Sequence, residues 1–455
     1  GADNIFAFYL GVHGDYGECM FPAQCRLGTP GQKADWLKRF GNLHNHYGYW
    51  CADELARAAF RRAMLGKYGG LDALNRAWGT AFSPESAIDY PRSVETRRAW
   101  LDFVRWYLDS MRDYAREVAK AANRHFPDTI KMFPLGAGDE DPRVGQDNTA
   151  LVKMAAEERV QIRSTHGGFR PFAANASSQL ARIATAAKFY GAAFWSEPPS
   201  QITPEGEVGR IFESICCGAS GFWDWHANPV QPKAQEVFRQ YRRLMVFDPP
   251  VVEVAVLFPQ TYHYLQPKVP FPGLFLELGQ ELRDFVHFDI VDENLVADGA
   301  LARYRYLIHL EGTVFEQSTV KKIAAWVEAG GVFSGLFSGN LETVERDATV
   351  PDWLQVDGAG GIRRLGRGAV AVCKGGRREK QAYFLRLKDV LYSNPPGKER
   401  RPVPAVDTDA DGVYGVVLQS GRALLYNPSG QTKTKTVRGV RYDLPPASIV
   451  EVKQP

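Results

Sequence analysis

The 455-residue sequence has no apolar run approaching the ~20 residues that a membrane-spanning helix needs. It also has no excess of one charge, since 55 basic and 52 acidic residues are interspersed along the chain for a net charge of +3. The sequence therefore has no stripe of basic residues that could bind along the phosphates of a nucleic acid. These absences argue against nucleic acid and against a membrane as partners.

A cysteine framework is also missing. The six cysteines form no CxxC pair, which argues against a disulfide scaffold. Cys19, Cys25 and Cys51 could meet around a zinc ion, but their irregular spacing favours buried or free thiols. His44 and His46 have no obvious third ligand and are interpreted as loop residues. We expect no metal and no cofactor.

The length predicts two or three domains, because a single core stops growing well below 455 residues. Over residues 1–247, short apolar runs alternate with helical patterns, as in βα units around a parallel sheet. Five strands are predicted there: 6–13, 129–136, 159–166, 192–199 and 219–226. The fold class is therefore α/β.

Helical patterns fill the intervals between these strands. The longest predicted helix runs from Ser93 to His125, and its face of Phe103, Tyr107, Met111, Tyr114 and Val118 should lie against a sheet. Further helices are predicted at 148–158, 177–190 and 204–217, the last with Thr203 as its N-cap.

Two smaller domains are predicted after the double proline at 249–250. Residues 248–349 have the pattern of a small open α/β sheet, Rossmann-like but without the GxGxxG turn that nucleotide binding uses. From about residue 350, runs such as AVAVCK and GVYGVVLQ, separated by turn residues, predict an antiparallel β domain over 350–455.

Carboxylates stand where predicted strands end. Glu18 and Asp15 follow the first strand, Glu197 ends the fourth in FWSEPP, and Asp224 lies in the fifth. Catalytic groups of βα barrels gather at the carboxyl ends of the strands. Glycoside hydrolysis needs two carboxyl groups that face each other across the scissile bond. Glu18 and Glu197 are the predicted pair, and Asp15 is interpreted as a structural or sugar-hydroxyl ligand.

Other residues near the strand ends are candidate sugar contacts. Aromatic faces can stack on sugar rings, and polar groups can bond hydroxyls, although core packing or loop binding explains each of them as well. The candidates are Trp195, Trp223, Trp225, Arg163, His166, Asp224 and Asn228.

A longer motif points to a family. RAMLGKYGGLDALNRAWGTAFSP, residues 62–84, resembles the KYGTLEALNxAWGTAFWS pattern of family 42 glycoside hydrolases, the β-galactosidase family. The resemblance implies a (β/α)8 barrel, then a Rossmann-like domain that commonly builds a trimer, then a small β domain. It implies Glu18 as acid/base at the end of strand four and Glu197 as nucleophile at the end of strand seven.

One departure from the family keeps alternatives open. The family usually has Asn before the acid/base, but Gly17 precedes Glu18, and GECMFP is similar to GELRYP of plant-type β-amylases, which are inverting α-glucan hydrolases. The first expectation is a retaining hydrolase of a terminal β-linked sugar such as galactose, with a glycoside or oligosaccharide as substrate. The alternatives are an inverting or differently specific glycosidase, and a non-catalytic carbohydrate-binding or assembly subunit.

By the resemblance to family 42, the five strands predicted over residues 1–247 correspond to strands four to eight of the barrel. Five strands cannot close such a barrel, so we expect the C-terminal part of a longer enzyme, with an N-terminal piece as a partner. An open five-stranded sheet is the alternative. The sequence begins with Gly and has no signal-peptide pattern, which leaves the compartment open. A homo-oligomer, by analogy a trimer, is expected.

Overall fold

The computed structural model of the protein describes most of the chain. The described residues are 6–11, 18–21, 48–136, 141–165, 174–197, 203–222, 232–266, 273–345, 350–355, 361–393, 396, 412–437 and 439–452. The chain divides into two compact units, a first unit of residues 1–162 with 261–271 and a second unit of residues 163–260 with 272–455.

The described helices follow the predicted ones closely. They are α1 (Glu54–Tyr68), α2 (Leu71–Trp78), α3 (Arg97–His125), α4 (Asn148–Glu157), α5 (Ala174–Tyr190), α6 (Pro204–Cys216), α7 (Pro232–Tyr241), α8 (Gln260–Tyr264), α9 (Gly273–Arg283), α10 (Glu293–Ala297), α11 (Gln317–Glu328) and α12 (Lys380–Lys388).

The described strands include all five predicted for residues 1–247. They are β1 (Ala7–Tyr9), β2 (Ile130–Leu135), β3 (Gln161–Thr165), β4 (Phe194–Glu197), β5 (Gly221–Phe222), β6 (Val254–Leu257), β7 (Asp289–Val291), β8 (Tyr306–His309), β9 (Val314–Phe315), β10 (Val332–Phe337), β11 (Glu342–Thr343), β12 (Ile362–Leu365), β13 (Gly368–Lys374), β14 (Tyr414–Val417), β15 (Ala423–Asn427), β16 (Lys433–Val437), β17 (Val440–Leu444) and β18 (Ser448–Val452).

Parallel strands form the sheet of the first unit. β1 pairs with β2 in the register Ala7↔Ile130, and β3 is next in the order. Helix α3 supplies much of the core with Phe103, Tyr107 and Met111, all buried. The predicted apolar face is wrong at Tyr114, whose exposed fraction is 52%. Ala115 and Ala119 are buried in its place, because the face continues in steps of four from Met111.

The motif of residues 62–84 builds a buried hydrogen-bonded centre in the first unit. The Asp102 carboxylate on α3 is 1% exposed. It accepts hydrogen bonds from Tyr68 Oη at 2.5 Å and Trp78 Nε1 at 2.8 Å, and it pairs with Lys67 Nζ at 2.7 Å. Three residues of the motif thus fasten α1 and α2 to α3, so the motif has a structural role.

The second unit begins with the end of β3 and continues with β4 and β5. β4 and β5 are parallel, with Trp195 opposite Gly221. Thr203 caps α6 as predicted, its hydroxyl accepting from Gly206 N at 3.1 Å. The cap fixes where α6 begins.

A second sheet lies further along the same unit, and it is parallel except at its edge, where β12 pairs antiparallel with β13. Its strand order is β12-β13-β10-β8-β6-β7, and β10 pairs in parallel with β8 and with β13. The run AVAVCK lies in β13, which pairs antiparallel with β12 as expected but pairs in parallel with β10, so it joins this sheet instead of a purely antiparallel one. An alternating run does not reveal which neighbour a strand will pair with.

Antiparallel strands follow as predicted. β14 pairs with β15, β15 with β18, and β16 with β17. Their apolar side packs on α6, where the Phe212 and Tyr426 rings stack with centroids 5.0 Å apart. The division of the chain at residues 247 and 349 stays a prediction.

We expect Asp102→Asn to lower the free energy of unfolding by about 3 kcal/mol, because it leaves buried donors and cations without their carboxylate. Lys67 is 41% exposed and can regain water, which keeps the loss at the lower end of such effects. The control is Asp113→Asn on the same helix, an exposed partner of Arg112 expected to cost less than about 1 kcal/mol. Urea unfolding measures both, and equal losses would contradict the assigned role.

His309 should make stability fall in acid. Burial lowers its pKa to about 4, and its ring lies beside Phe315 and Phe337. Because the unfolded chain binds the proton at an ordinary pKa near ~6.5, the unfolded state holds more protons between these values. The contribution of His309 to the free energy of unfolding is therefore fully present above that range and is lost as the pH falls towards 4.

The test is the slope of unfolding free energy between pH 6.5 and 4 in His309→Gln. We expect it to be smaller than that of the wild type by roughly 1.4 kcal/mol per pH unit. A residual slope should remain from His287, whose pKa burial lowers to about 3. An unchanged slope would mean that His309 is protonated in the folded protein.

Candidate active site

Glu18 is held at the carboxyl end of β2 by the short segment that contains it. Cys19 N donates to Pro134 O at 3.2 Å and Phe21 N to Val144 O at 2.6 Å. Cys19 is fully buried, and burial together with the nearby Glu18 charge raises the pKa of its thiol. Buried thiols of this kind are inert. These two backbone hydrogen bonds hold the segment that contains Glu18 against Pro134 and Val144.

The carboxylate of Glu18 lies directly over Gly136. A Cβ at Gly136 would stand 2.2 Å from Oε2 and 2.5 Å from Oε1 of Glu18, far inside van der Waals contact. The peptide of Gly136 is in turn held by Gln146, whose Nε2 donates to Gly136 O at 2.8 Å. Only glycine leaves room for the carboxylate at this strand end.

Glu197 ends β4 and is paired with Arg163 of β3. Arg163 Nη1 donates to Glu197 Oε2, and the two residues are only 5% and 7% exposed. Burial lowers the pKa of Arg163, and the Glu197 charge opposes this shift. The guanidinium remains protonated in proteins at all ordinary pH values, so a buried carboxylate and a buried cation share one face of the sheet.

The alternation of side chains along β4 shows that Glu197 lies on the face of the sheet opposite α6. Ser196 Oγ accepts from Ser214 Oγ of α6 at 2.8 Å, so Ser196 faces the helix. Successive side chains of a strand point to opposite faces, which puts Trp195 and Glu197 on the other side. Trp195 is half-buried there and its indole covers Gly221, where a Cβ would stand 2.5 Å from Cε3 of Trp195.

Four candidate residues are thus placed, and six are not. Glu18 belongs to the first unit, whereas Arg163, Trp195 and Glu197 lie together in the second. The remaining candidates lie outside the described residues: Asp15, His166, Trp223, Asp224, Trp225 and Asn228.

The described part of the chain shows neither a metal cluster nor a spanning helix. No group of three or more His, Cys, Asp or Glu there could hold a metal ion, and none of its helices is long and apolar enough to cross a membrane. Cys19 and Cys51 are buried free thiols. Cys25, His44 and His46 fall outside the described residues.

Sequence reasoning missed Gly136 and Gly221. Gly136 ends one predicted strand and Gly221 lies within another, and a glycine in a strand often marks a close approach of another group. That signal identifies the position but not the group that approaches, because Glu18 and Gly136 are far apart in sequence.

Gly136→Ala should displace the Glu18 carboxylate with little loss of stability, within about 1 kcal/mol, because the group that must move is the end of a flexible side chain. A glycoside that the wild type turns over should be cleaved about a hundredfold more slowly, as for a small misplacement of a reacting group. A crystal structure of the variant and its kcat test this.

Two other glycines serve as controls. Gly221→Ala meets the rigid Trp195 ring instead and should cost about 1–3 kcal/mol. Gly66→Ala, in α1 with nothing within 4 Å of the added Cβ, should leave activity unchanged and stabilise the helix slightly. Full activity in Gly136→Ala with Glu18 in place would contradict the assigned geometry.

Comparison with known proteins gives a family match over part of the chain. The family model Glyco_hydro_42, described as beta-galactosidase, matches residues 41–137. The β-amylase of Bacillus cereus is 26% identical over 188 residues, which cover 35% of this chain and 34% of that protein. The chain thus spans about a third of the length of this curated relative.

Solved structures resemble the chain over most of its length. The β-galactosidase of Rahnella sp. R3 has a TM-score of 0.66 at 14% identity, with 93% of this chain and 81% of that chain covered. The β-galactosidase of Bacillus circulans sp. alkalophilus has a TM-score of 0.64 at 14% identity, with 92% and 80% covered. The protein therefore has an α/β fold with parallel sheets similar to these enzymes.

The resemblance predicted from residues 62–84 falls inside the matched range 41–137. The resemblance to family 42 glycoside hydrolases is confirmed.

Proposed function

We propose that the protein is a glycoside hydrolase that cleaves a terminal β-linked sugar, with Glu18 and Glu197 as its two carboxyl groups. The observation that carries the proposal is the Glu197 carboxylate, buried at the carboxyl end of β4 against Arg163. A buried charge at this end of a parallel strand is unusual for structure alone and typical of catalytic sites.

The two glutamates have different surroundings, which suits different roles. Glu18 is only half-buried over a glycine, whereas Glu197 lies beside a permanent cation. In the retaining mechanism, Glu197 attacks the anomeric carbon while Glu18 protonates the departing oxygen. Glu18 then takes a proton from the water that hydrolyses the glycosyl-enzyme bond and frees Glu197.

The proposal extends to the finer architecture. We propose that β1 to β5 correspond to strands four to eight of a (β/α)8 barrel, with a Rossmann-like domain over residues 248–349 and a β domain over 350–455. The parallel strand orders of the two units support this, as does the position of Glu18 after β1 and Glu197 at the end of β4. A homo-oligomer, by analogy a trimer, is part of the same proposal.

A second candidate is an inverting hydrolase of α-glucans. It is favoured by the β-amylase relative and by GECMFP at residues 17–22. Glu197 would then activate a water molecule instead of attacking the sugar. The carboxyl groups would be ~6.5–9.5 Å apart, against ~5–5.5 Å in a retaining enzyme.

The experiment is an assay of the purified chain on nitrophenyl β- and α-glycosides and on maltodextrins, run beside intact and native mass analysis. We expect turnover of a β-glycoside with retention of anomeric configuration, read by proton NMR. Inversion on a maltodextrin would select the second candidate.

Substitutions identify the residues responsible. Glu197→Gln should abolish turnover, and Glu18→Gln should lower kcat by about 10²–10⁴-fold. The matched control is Glu253→Gln, which removes the carboxylate from another partly buried ion pair, Glu253 with Arg305 at 2.7 Å, and should retain activity. Sugar binding without turnover in wild type and Glu197→Gln alike would instead indicate a carbohydrate-binding subunit.

A further inference from the structure

The buried pair of Arg163 and Glu197 joins neighbouring strands on one face of the sheet. Only 6% of the Arg163 side chain and 9% of the Glu197 side chain are exposed. Placing two ions out of water is costly unless they pair closely. Such a pair requires a cation and an anion, and arginine supplies the cation at any working pH.

The charged groups of helix α6 interact with partners other than Arg163 and Glu197. α6 packs on the opposite face of β4 through Ser214 and Ser196, and its Arg210 is paired with Glu207. Glu213 of that helix interacts with Tyr426. β5 contributes only Gly221 and Phe222 within its described span. Glu197 acts on Arg163 both through its charge and through a hydrogen bond.

Orientation follows from the same geometry. Arg163 Nη1 donates to Oε2 of Glu197, and this charge-assisted hydrogen bond fixes the position of that oxygen. The strand carrying Glu197 is fixed from the other side by the hydrogen bond between Ser196 and Ser214. One carboxylate oxygen of Glu197 is thus held on its own face of the sheet, and the strand that carries Glu197 is held on the opposite face.

We infer that Arg163 is a positioning residue that keeps Glu197 as an oriented, ionised carboxylate, and that it is not primarily a ligand of the sugar. The inference rests on the proposed function for its kinetic consequences. It assigns Glu197 the role of nucleophile or base, because an ionised group cannot donate a proton, and it leaves the role of acid to Glu18.

Kinetics of Arg163→Gln and Arg163→Lys test the inference. Arg163→Gln should lower kcat about a hundredfold with little change in KM, and the acid limb of kcat/KM should move up by about 1–3 pH units as Glu197 loses its cation. Arg163→Lys keeps the charge without the planar fork, so the acid limb should stay near its wild-type position while kcat falls.

Two control variants separate this role from general damage. Ser214→Ala removes a buried hydrogen bond on the far face of β4, and Arg305→Gln removes the cation of the Glu253 pair. Both should lower the melting temperature without moving the acid limb. A raised KM with unchanged kcat and unchanged acid limb in Arg163→Gln would instead make Arg163 a sugar ligand and overturn the inference.

A thermal double-mutant cycle tests the pair without any activity. The melting temperatures of Arg163→Gln, Glu197→Gln and the double variant should be non-additive at pH 7, because either single change leaves a buried ion alone. Additive losses would overturn the inference. A wild type that cleaves no glycoside while the cycle is non-additive would reject the proposed function but retain the pair, so the two failures are distinguishable.

Discussion

The proposed active site depends on one electrostatic interaction, in which a buried carboxylate pairs with a buried guanidinium at the carboxyl end of β4. Each ion would cost several kcal/mol to bury alone. Pairing with Arg163 offsets this cost for Glu197. The proposed mechanism requires an ionised Glu197, because the group has to attack the sugar or accept a proton.

A second constraint is steric. Glu18 lies over Gly136 and Trp195 over Gly221, and in both places a single methyl group would collide with the neighbouring side chain. Parallel strands bring their carboxyl ends together, and glycine is the residue that lets a side chain from a neighbouring segment lie flat on a strand end. The two glycines differ in what they protect, a flexible carboxylate in one case and a rigid indole in the other.

The motif of residues 62–84 has a structural meaning that complements its value in recognition. Lys67, Tyr68 and Trp78 converge on Asp102, so the motif and α3 form one hydrogen-bonded assembly in the first unit. The match to the family covers residues 41–137, which includes this assembly. A sequence pattern that identifies a family resemblance can therefore also report how part of the fold is held together.

The secondary structure was predictable to a large extent, because strands and helices repeat with periods that local sequence displays. The five strands of residues 1–247, the Thr203 cap and the positions of Glu18 and Glu197 at strand ends all followed from such local signals. The wrong predictions concerned features that depend on which distant segments pack together. Tyr114 is exposed although it fits the helical face, and β13 pairs in parallel with β10 although its alternating run predicted antiparallel neighbours.

The sequence by itself determined the alternation of strands and helices and the family resemblance, since both are encoded in short stretches. It also determined the near balance of basic and acidic residues, which is a matter of composition. Only the tertiary structure decided that Arg163 is the partner of Glu197, 34 residues away, and that Gly136 makes room for Glu18. Such contacts depend on strand register and packing between distant segments. Neither leaves a periodic trace in the sequence, because one residue of displacement turns a side chain to the other face of the sheet.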